Sequence, residues 1–311
     1  MEIYPQISAL PESPIEPVAT LGNFDGVHRG HQAILARLKE EARRLDAPTM
    51  VITFHPHPRQ VLRPEHDLHP LMSLKERLRI LWDLQVDHTL VIPFDMDFAQ
   101  VTANEFVDEI LWERLRLRAI YVGGDTAFGQ ERQGDVRFLA SEGRRLGFAT
   151  GVVEPVLAAG GPISSSRIRR ALSTGDMGLV AQMLGRHHMV VGQVVKGEAR
   201  GRELGFPTAN LFTDGGCLPP PGVYASWATL DNGERHPAVV NIGERPTFSD
   251  GGGLTVEAHL LGFQGDLYGQ EVRLSMCERI RGERDFQGVE PLKQQIGRDI
   301  AEARQRLRLE P

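Results

Sequence analysis

The spacing of apolar residues changes character near residue 185, and that change limits the chain to two folding units of different class. From Ile15 onward, the apolar runs Val18 to Gly22, Met50 to Phe54, Thr89 to Ile92, Ala119 to Gly123 and Ala149 to Val153 have the length of buried strands. Between the first two, Ile34, Leu35, Leu38, Ala42 and Leu45 recur at helical spacing. Ser73 with Glu76, and Thr102 with Glu105, form the pattern that opens a helix. Strand and helix in alternation predict an α/β domain over residues 1–185, with a parallel sheet covered by helices on both faces.

After Gly185 the runs become short and alternating, separated by Gly, Pro, Asn and Asp. Met189 to Val195, Val223 to Leu230, Pro237 to Ile242, Leu254 to Leu261 and Val272 to Met276 predict antiparallel strands of a small barrel or sandwich over residues 186–311. Gly251 to Gly253 reads as a mobile turn. From about Pro291 the pattern is helical again, with Leu292, Ile296, Ile300 and Leu307 near one stripe. A chain of 311 residues is long enough for two such domains.

Composition narrows the function classes. No apolar stretch is long enough for a membrane span, and the first residues lack a basic patch followed by an apolar core, so a cytoplasmic protein without membrane partners is expected. Two cysteines, Cys217 and Cys277, make neither a disulfide framework nor a CxxC metal pair. The formal net charge of −6 gives no reason to expect nucleic acid, while the abundance of arginine over lysine suits bidentate grip on phosphate. Nothing in the sequence fixes an oligomeric state.

LGNFDGVHRGHQ, from Leu21 to Gln32, lies where the first strand ends and the first helix begins, the place at which an α/β sheet presents its ligand crevice. Gly22, Gly26 and Gly30 allow close backbone approach. His28 and His31, three apart, share one face of the first helical turn, where free N–H groups and the helix dipole favour phosphate. Taken alone, this pair reads more readily as a capped helix start with two surface histidines. ISSSRIRRAL, from Ile163 to Leu172, places Arg167, Arg169 and Arg170 in the first turns of another helix, a poor position for cations unless an anion offsets them. A serine-rich linker before a solvated arginine face is the competing reading. The histidines at 55, 57, 66, 69 and 88 lack the cysteines or carboxylates that would complete a tetrahedral metal site.

In the second half, Gly197, Gly201 and Gly205 space out a loop that leads into Pro207, Thr208, Ala209 and Asn210. Such a loop can fold over phosphates, and Thr208 and Asn210 offer neutral oxygens to a magnesium ion that phosphates share. A plain glycine-rich hairpin loop is the alternative. Glu257 sits in an alternating strand, with its carboxylate directed away from Val256, Ala258 and Leu260; solvent is the ordinary destination for such a side chain.

In combination these segments resemble a known family. GNFDGVHRGH, TFHPHP (Thr53 to Pro58), VGGDTAFG (Val122 to Gly129) and ISSSRIR are similar to the FMN adenylyltransferase module of bacterial bifunctional riboflavin kinase/FAD synthetases, a Rossmann-like nucleotidylyltransferase domain. GRELGFPTAN, PPGVYA, NIGERPTF and VEAHLLGFQGDLYG follow in the order of the riboflavin kinase family, an antiparallel β-barrel with a terminal helix. The resemblance implies conversion of riboflavin to FMN in the second module and of FMN to FAD in the first, with ATP as co-substrate and Mg²⁺ as cofactor. It implies that His28 and His31 stabilise the triphosphate, and that Ser165, Ser166 and Arg169 hold phosphates from the opposite side. Gly22, Asn23, Phe24, Asp25 and Asp125 would lie near the nucleotide, Gly197, Gly201 and Gly205 near phosphates, Thr208 and Asn210 on Mg²⁺, and Glu257 would be the base that takes the ribityl hydroxyl proton. The sequence departs from the family at Thr126 and Ala127, where an aromatic and a basic residue are usual, at Ser166, where threonine is usual, and at Gly262, where an acidic residue is common. The departure at Thr126 and Ala127 puts flavin contacts in the first module in question and leaves open a kinase whose first domain has changed its acceptor.

Overall fold

The computed structural model describes residues 1–197, 201, 204–213, 215–244 and 254–309. The chain divides into two compact units, Met1–Ser164 and Ser165–Pro311.

In the first unit the elements are β1 (Glu2–Tyr4), β2 (Val18–Leu21), α1 (Arg29–Leu45), β3 (Thr49–His55), α2 (Pro58–Leu62), α3 (Leu74–Asp83), β4 (His88–Pro93), α4 (Ala103–Glu105), which runs into a π-helical stretch Phe106–Arg114, β5 (Ala119–Gly123), β6 (Ala127–Phe128), β7 (Gly134–Asp135), α5 (Val136–Leu146), β8 (Ala149–Val153), β9 (Leu157–Ala158) and β10 (Gly161–Pro162). Six strands form a parallel sheet in the order β1-β4-β3-β2-β5-β8. The five predicted strands are all present; the addition is β1, a three-residue edge strand.

Both faces of this sheet are covered, as the continuous apolar runs require. Val18, Val51 and Ala119 pack with Leu35 and Leu38 of α1 and Ile80 and Leu81 of α3. Their neighbours Ala19, Met50, Ile52 and Ile120 point the other way, toward Phe106, Val107, Ile110 and Leu111 of the π-helical stretch and Leu139 of α5. Thr102 and Glu105 form the expected reciprocal cap, and Ser73 accepts from the Glu76 amide.

The second unit opens with α6 (Ser165–Ser173) and α7 (Met177–Leu184), followed by β11 (His188–Val195), β12 (Ala209–Thr213), β13 (Gly222–Leu230), β14 (Arg235–Glu244), β15 (Leu254–Leu260), β16 (Glu271–Arg281) and the terminal helix α8 (Val289–Arg306). The six strands close into an antiparallel barrel, β11-β12-β15-β14-β13-β16. Closure removes the exposed sheet edges. The interior is filled by alternate residues, among them Val190, Tyr224, Ala228, Ala238, Val240, Val256, Ala258 and Leu274.

α8 packs against β13, β14 and β16. Its contact is not purely apolar: Asp299, 3 % exposed, receives two arms of the Arg281 guanidinium at 2.7–3.1 Å. β12 is the strand that the sequence pattern missed. The turn expected at Gly251 to Gly253, and residues 245–248 of the NIGERPTF segment, lie outside the described residues.

Candidate functional site

In the first unit the chain runs outward from β2 to β3 and β4, then returns to the other side of β2 as β5. Such a reversal opens a crevice at the carboxyl ends of the strands on either side. Gly22, Asn23, Phe24 and Asp25 follow β2 there, and Asp125 follows β5. The first loop is strained: Phe24 (φ 49°) and Val27 (φ 36°) both adopt left-handed backbone, and both are buried. Conformations of this kind cost about 1–3 kcal/mol each and persist where the surroundings enforce them. The enforcement is visible, since the Phe24 ring lies 4.8 Å from that of His31 and Asp25 Oδ1 accepts the Leu71 amide at 2.8 Å. Phe24 and Asp25 therefore support the loop from beneath, while the Asp125 side chain is exposed.

His28 is the N-cap of α1, and its Nδ1 accepts the His31 amide at 3.3 Å. A ring whose Nδ1 accepts is neutral and carries its proton on Nε2. The two imidazoles stack with centroids 3.6 Å apart and 15° between planes. A side chain on Gly30 would stand 3.1 Å from the His28 ring and 3.9 Å from the Ile163 carbonyl. Glycine thus lets His28 lie back on the helix start.

Ser165 and Ser166 open α6, with Arg169 one turn on. Ile168, Ala171 and Leu172 are buried on the other side of the helix, so the hydroxyls and the guanidinium share its polar side.

The barrel holds a second constellation. Asn210 of β12 pairs with Glu257 of β15, and Glu257 pairs in turn with Asn241 of β14. Residues paired directly across strands project to the same face, here the outer one, because Val256, Ala258 and Leu211 fill the interior. Asn241 is a member of this group that the sequence motif contained but could not place, since only register reveals it.

Gly197 and Gly201 approach the same region. A side chain on Gly197 would fall 2.2 Å from Asn210 Nδ2, and one on Gly201 would fall 2.9 Å from Thr208 Oγ1. Gly205 (φ 87°) supplies a left-handed turn between Gly201 and Thr208. His259, two residues beyond Glu257, contacts the Pro207 carbonyl through Nδ1 at 2.7 Å and so ties the Thr208 segment to β15. Thr208 also lines a pocket of about 310 Å³ with Pro207, Phe263, Asp266, Leu267 and Tyr268. Two neutral side-chain oxygens beside a space kept open by glycine suit a hard cation whose remaining ligands are phosphate and water.

Three of the histidines considered as metal ligands make other contacts. His57 caps α2, His69 contacts Asp67, and His88 meets the Tyr4 hydroxyl.

Residues 10–167 match the family model described as FAD synthetase, and residues 184–307 match the one described as riboflavin kinase. A bifunctional riboflavin kinase/FMN adenylyltransferase of Escherichia coli K12 is 39% identical over 307 residues, covering 98% of this chain and 97% of that one. The chain belongs to the bifunctional riboflavin kinase/FMN adenylyltransferase family. Another member, from Pseudomonas fluorescens, is 40% identical and covers 92% of both chains. A solved Streptococcus pneumoniae structure described as a macrolide-efflux protein is 30% identical, with a TM-score of 0.88 over 97% of this chain and 98% of that one. Among the described residues of this family member, no helix is long and apolar enough to cross a membrane. The FAD synthetase match takes in Ser165 and Ser166 at the start of α6 and ends before Arg169.

Proposed function

We propose that the two constellations are the two active sites: riboflavin is phosphorylated at the outer face of the barrel around Glu257, and FMN is adenylylated at the strand-end crevice of the first unit. The protein is an ATP-dependent transferase that makes FMN from riboflavin and FAD from FMN. Its substrates and products are therefore riboflavin, FMN, FAD and ATP, with ADP released in the first step and pyrophosphate in the second.

The observation that carries the kinase assignment is the direct pairing of Asn210 with Glu257. In this reading Glu257 accepts the proton of the ribityl hydroxyl as its oxygen attacks the γ-phosphorus of ATP. Thr208 and Asn210 would hold Mg²⁺, which supplies charge neutralisation on the transferred phosphate. The pocket beside Thr208 would receive the nucleotide, with Gly197, Gly201 and Gly205 allowing the loop to approach its phosphates.

In the first unit, a phosphate oxygen of FMN attacks the α-phosphorus of ATP and pyrophosphate leaves. His28 would donate from Nε2 to the triphosphate, with His31 beside it; Gly22 and Asn23 follow β2 at the crevice, and Asp125, which follows β5, would lie near the nucleotide. Ser165, Ser166 and Arg169, on the polar side of α6, would bind phosphate as the resemblance implies. No side chain is asked to form a covalent intermediate, so this module works by positioning and charge stabilisation. Thr126 and Ala127 bear on which flavin contacts the acceptor side makes.

Residues 1–185 and 186–311 are taken as the two functional domains. A cytoplasmic location, with neither nucleic acid nor membrane as partner, is in keeping with a chain of only two cysteines and a net charge of −6. Incubation of the full chain with riboflavin, ATP and Mg²⁺, followed by chromatography of flavins and nucleotides, tests the assignment. FMN with ADP, then FAD with pyrophosphate, is the expected result; FMN that never proceeds to FAD would remove the adenylylation assignment.

A further inference from the structure

Arg77 of α3 is only 6 % exposed, yet its acceptors among the described residues are uncharged. Nη1 donates to the Asn23 carbonyl at 2.5 Å and to Thr53 Oγ1 at 3.3 Å, and Nη2 donates to the Phe54 carbonyl at 3.1 Å. The Thr53 hydroxyl in turn donates to the Asn23 carbonyl at 3.2 Å. Nε is buried without a hydrogen-bond partner among the described residues. One guanidinium therefore joins the residues at the carboxyl ends of β2 and β3, beneath the strained loop that opens the crevice. Burial pulls its pKa down from the usual arginine value, against the attraction of Asp25.

Burying a cation against neutral groups is costly, and an apolar replacement of similar volume often holds a core as well or better. A tie needed only for packing would not require a cation here. A planar fork that bonds in two directions at once has no substitute in lysine, whose ammonium is a single point. We propose that Arg77 is a positioning residue for adenylyl transfer, fixing the Asn23 carbonyl against the end of β3 so that the loop from Gly22 to His28 stands in reacting geometry. This rests on the reading of that crevice as the adenylylation site. The expected penalty is kinetic, because a displacement of about 1 Å in such a site can cost on the order of 10²-fold in rate.

The test uses the full chain with Arg77→Lys and Arg77→Met, measuring kcat and KM for ATP in FAD formation, the riboflavin kinase rate of the same preparation, and thermal unfolding. Arg77→Lys, which keeps the charge and loses the fork, should lower kcat for FAD formation at least ~10-fold. Its KM for ATP should stay within about threefold and the kinase rate should be unchanged. A folded Arg77→Lys enzyme with wild-type kcat would overturn the proposal. Should neither substitution fold, Thr53→Val removes the hydroxyl relay at nearly constant volume and should reduce the same kcat about threefold or more; no reduction there would also overturn it. His28→Ala separates the two levels of inference. Loss of FAD formation in His28→Ala with none in Arg77→Lys rejects the role of Arg77 alone, whereas no loss in either rejects the crevice as the site.

Discussion

Asn210 and Glu257 stand directly opposite one another across β12 and β15. The first is the proposed metal ligand and the second the proposed base, so their separation is set by a strand ladder, with Cβ atoms ~4.5–5.5 Å apart, rather than by a loop. On its other side Asn210 pairs with Val195, two residues before Gly197. The loop that would cover the phosphates thus starts from the same stretch of the barrel that presents the ligand.

This geometry makes Gly197 a critical position. A methyl group there would overlap Asn210, at 2.2 Å from Nδ2 and 2.5 Å from Cγ, so one of the two must move. Gly197→Ala should lower kcat/KM for riboflavin phosphorylation at least ~10-fold, because misplacement within a reacting assembly is expensive. FAD formation from supplied FMN should be unaffected. Steady-state assays of both half-reactions check this, and wild-type kinase activity in the variant would place Asn210 outside the site.

His28 and His31 separate a catalytic role from a capping one. As preorganised donors to the triphosphate, their replacement by alanine should each reduce FAD formation by ~10²–10³ while riboflavin phosphorylation continues. A cap alone would cost about 1 kcal/mol of stability and leave the rate intact. Rates and melting temperatures for His28→Ala and His31→Ala distinguish the outcomes.

Acid sensitivity of the barrel should trace to His188, which is buried, contacts the Cys217 carbonyl through Nε2 at 2.8 Å, and is pushed down by burial to about 4. Its pKa in the unfolded chain is near ~6.5, so between those values the unfolded state binds the extra proton. Stability from this group is complete above ~6.5 and is lost as the pH falls toward 4, a decrease on the order of 3 kcal/mol. Unfolding of the wild type and His188→Gln should be followed from pH 7 to 4.5. A smaller acid-induced loss in the variant is expected; equal losses would assign the sensitivity elsewhere, His187 included.

The sheet of the first unit was legible because strands buried on both faces are written as unbroken apolar runs, Val18 to Gly22 and Met50 to Phe54 among them. β1 escaped because three residues at an edge leave no such run, and β12 because Ala209–Thr213 follows a glycine- and proline-rich stretch that reads as loop. Glu257, Asn210, His28 and His31 were each visible by residue type and motif. What sequence could not supply was register: the pairing of Asn210, Glu257 and Asn241 exists only once three strands are aligned. Arg77 was hidden for a different reason, since an arginine within a charged helical segment looks solvent-facing until its fork is seen beneath Asn23 and Phe54.

Glu257→Gln is the most direct test of the barrel site, because it keeps size and hydrogen-bonding capacity and removes only the ability to accept a proton. Melting temperature, riboflavin phosphorylation and FAD formation from FMN should be measured on one preparation. A base at position 257 predicts kinase turnover lower by ~10²–10⁴, with the other two quantities unchanged. Riboflavin phosphorylation at the wild-type rate would contradict it and return Glu257 to the role of an ordinary side chain on the outer face of the barrel.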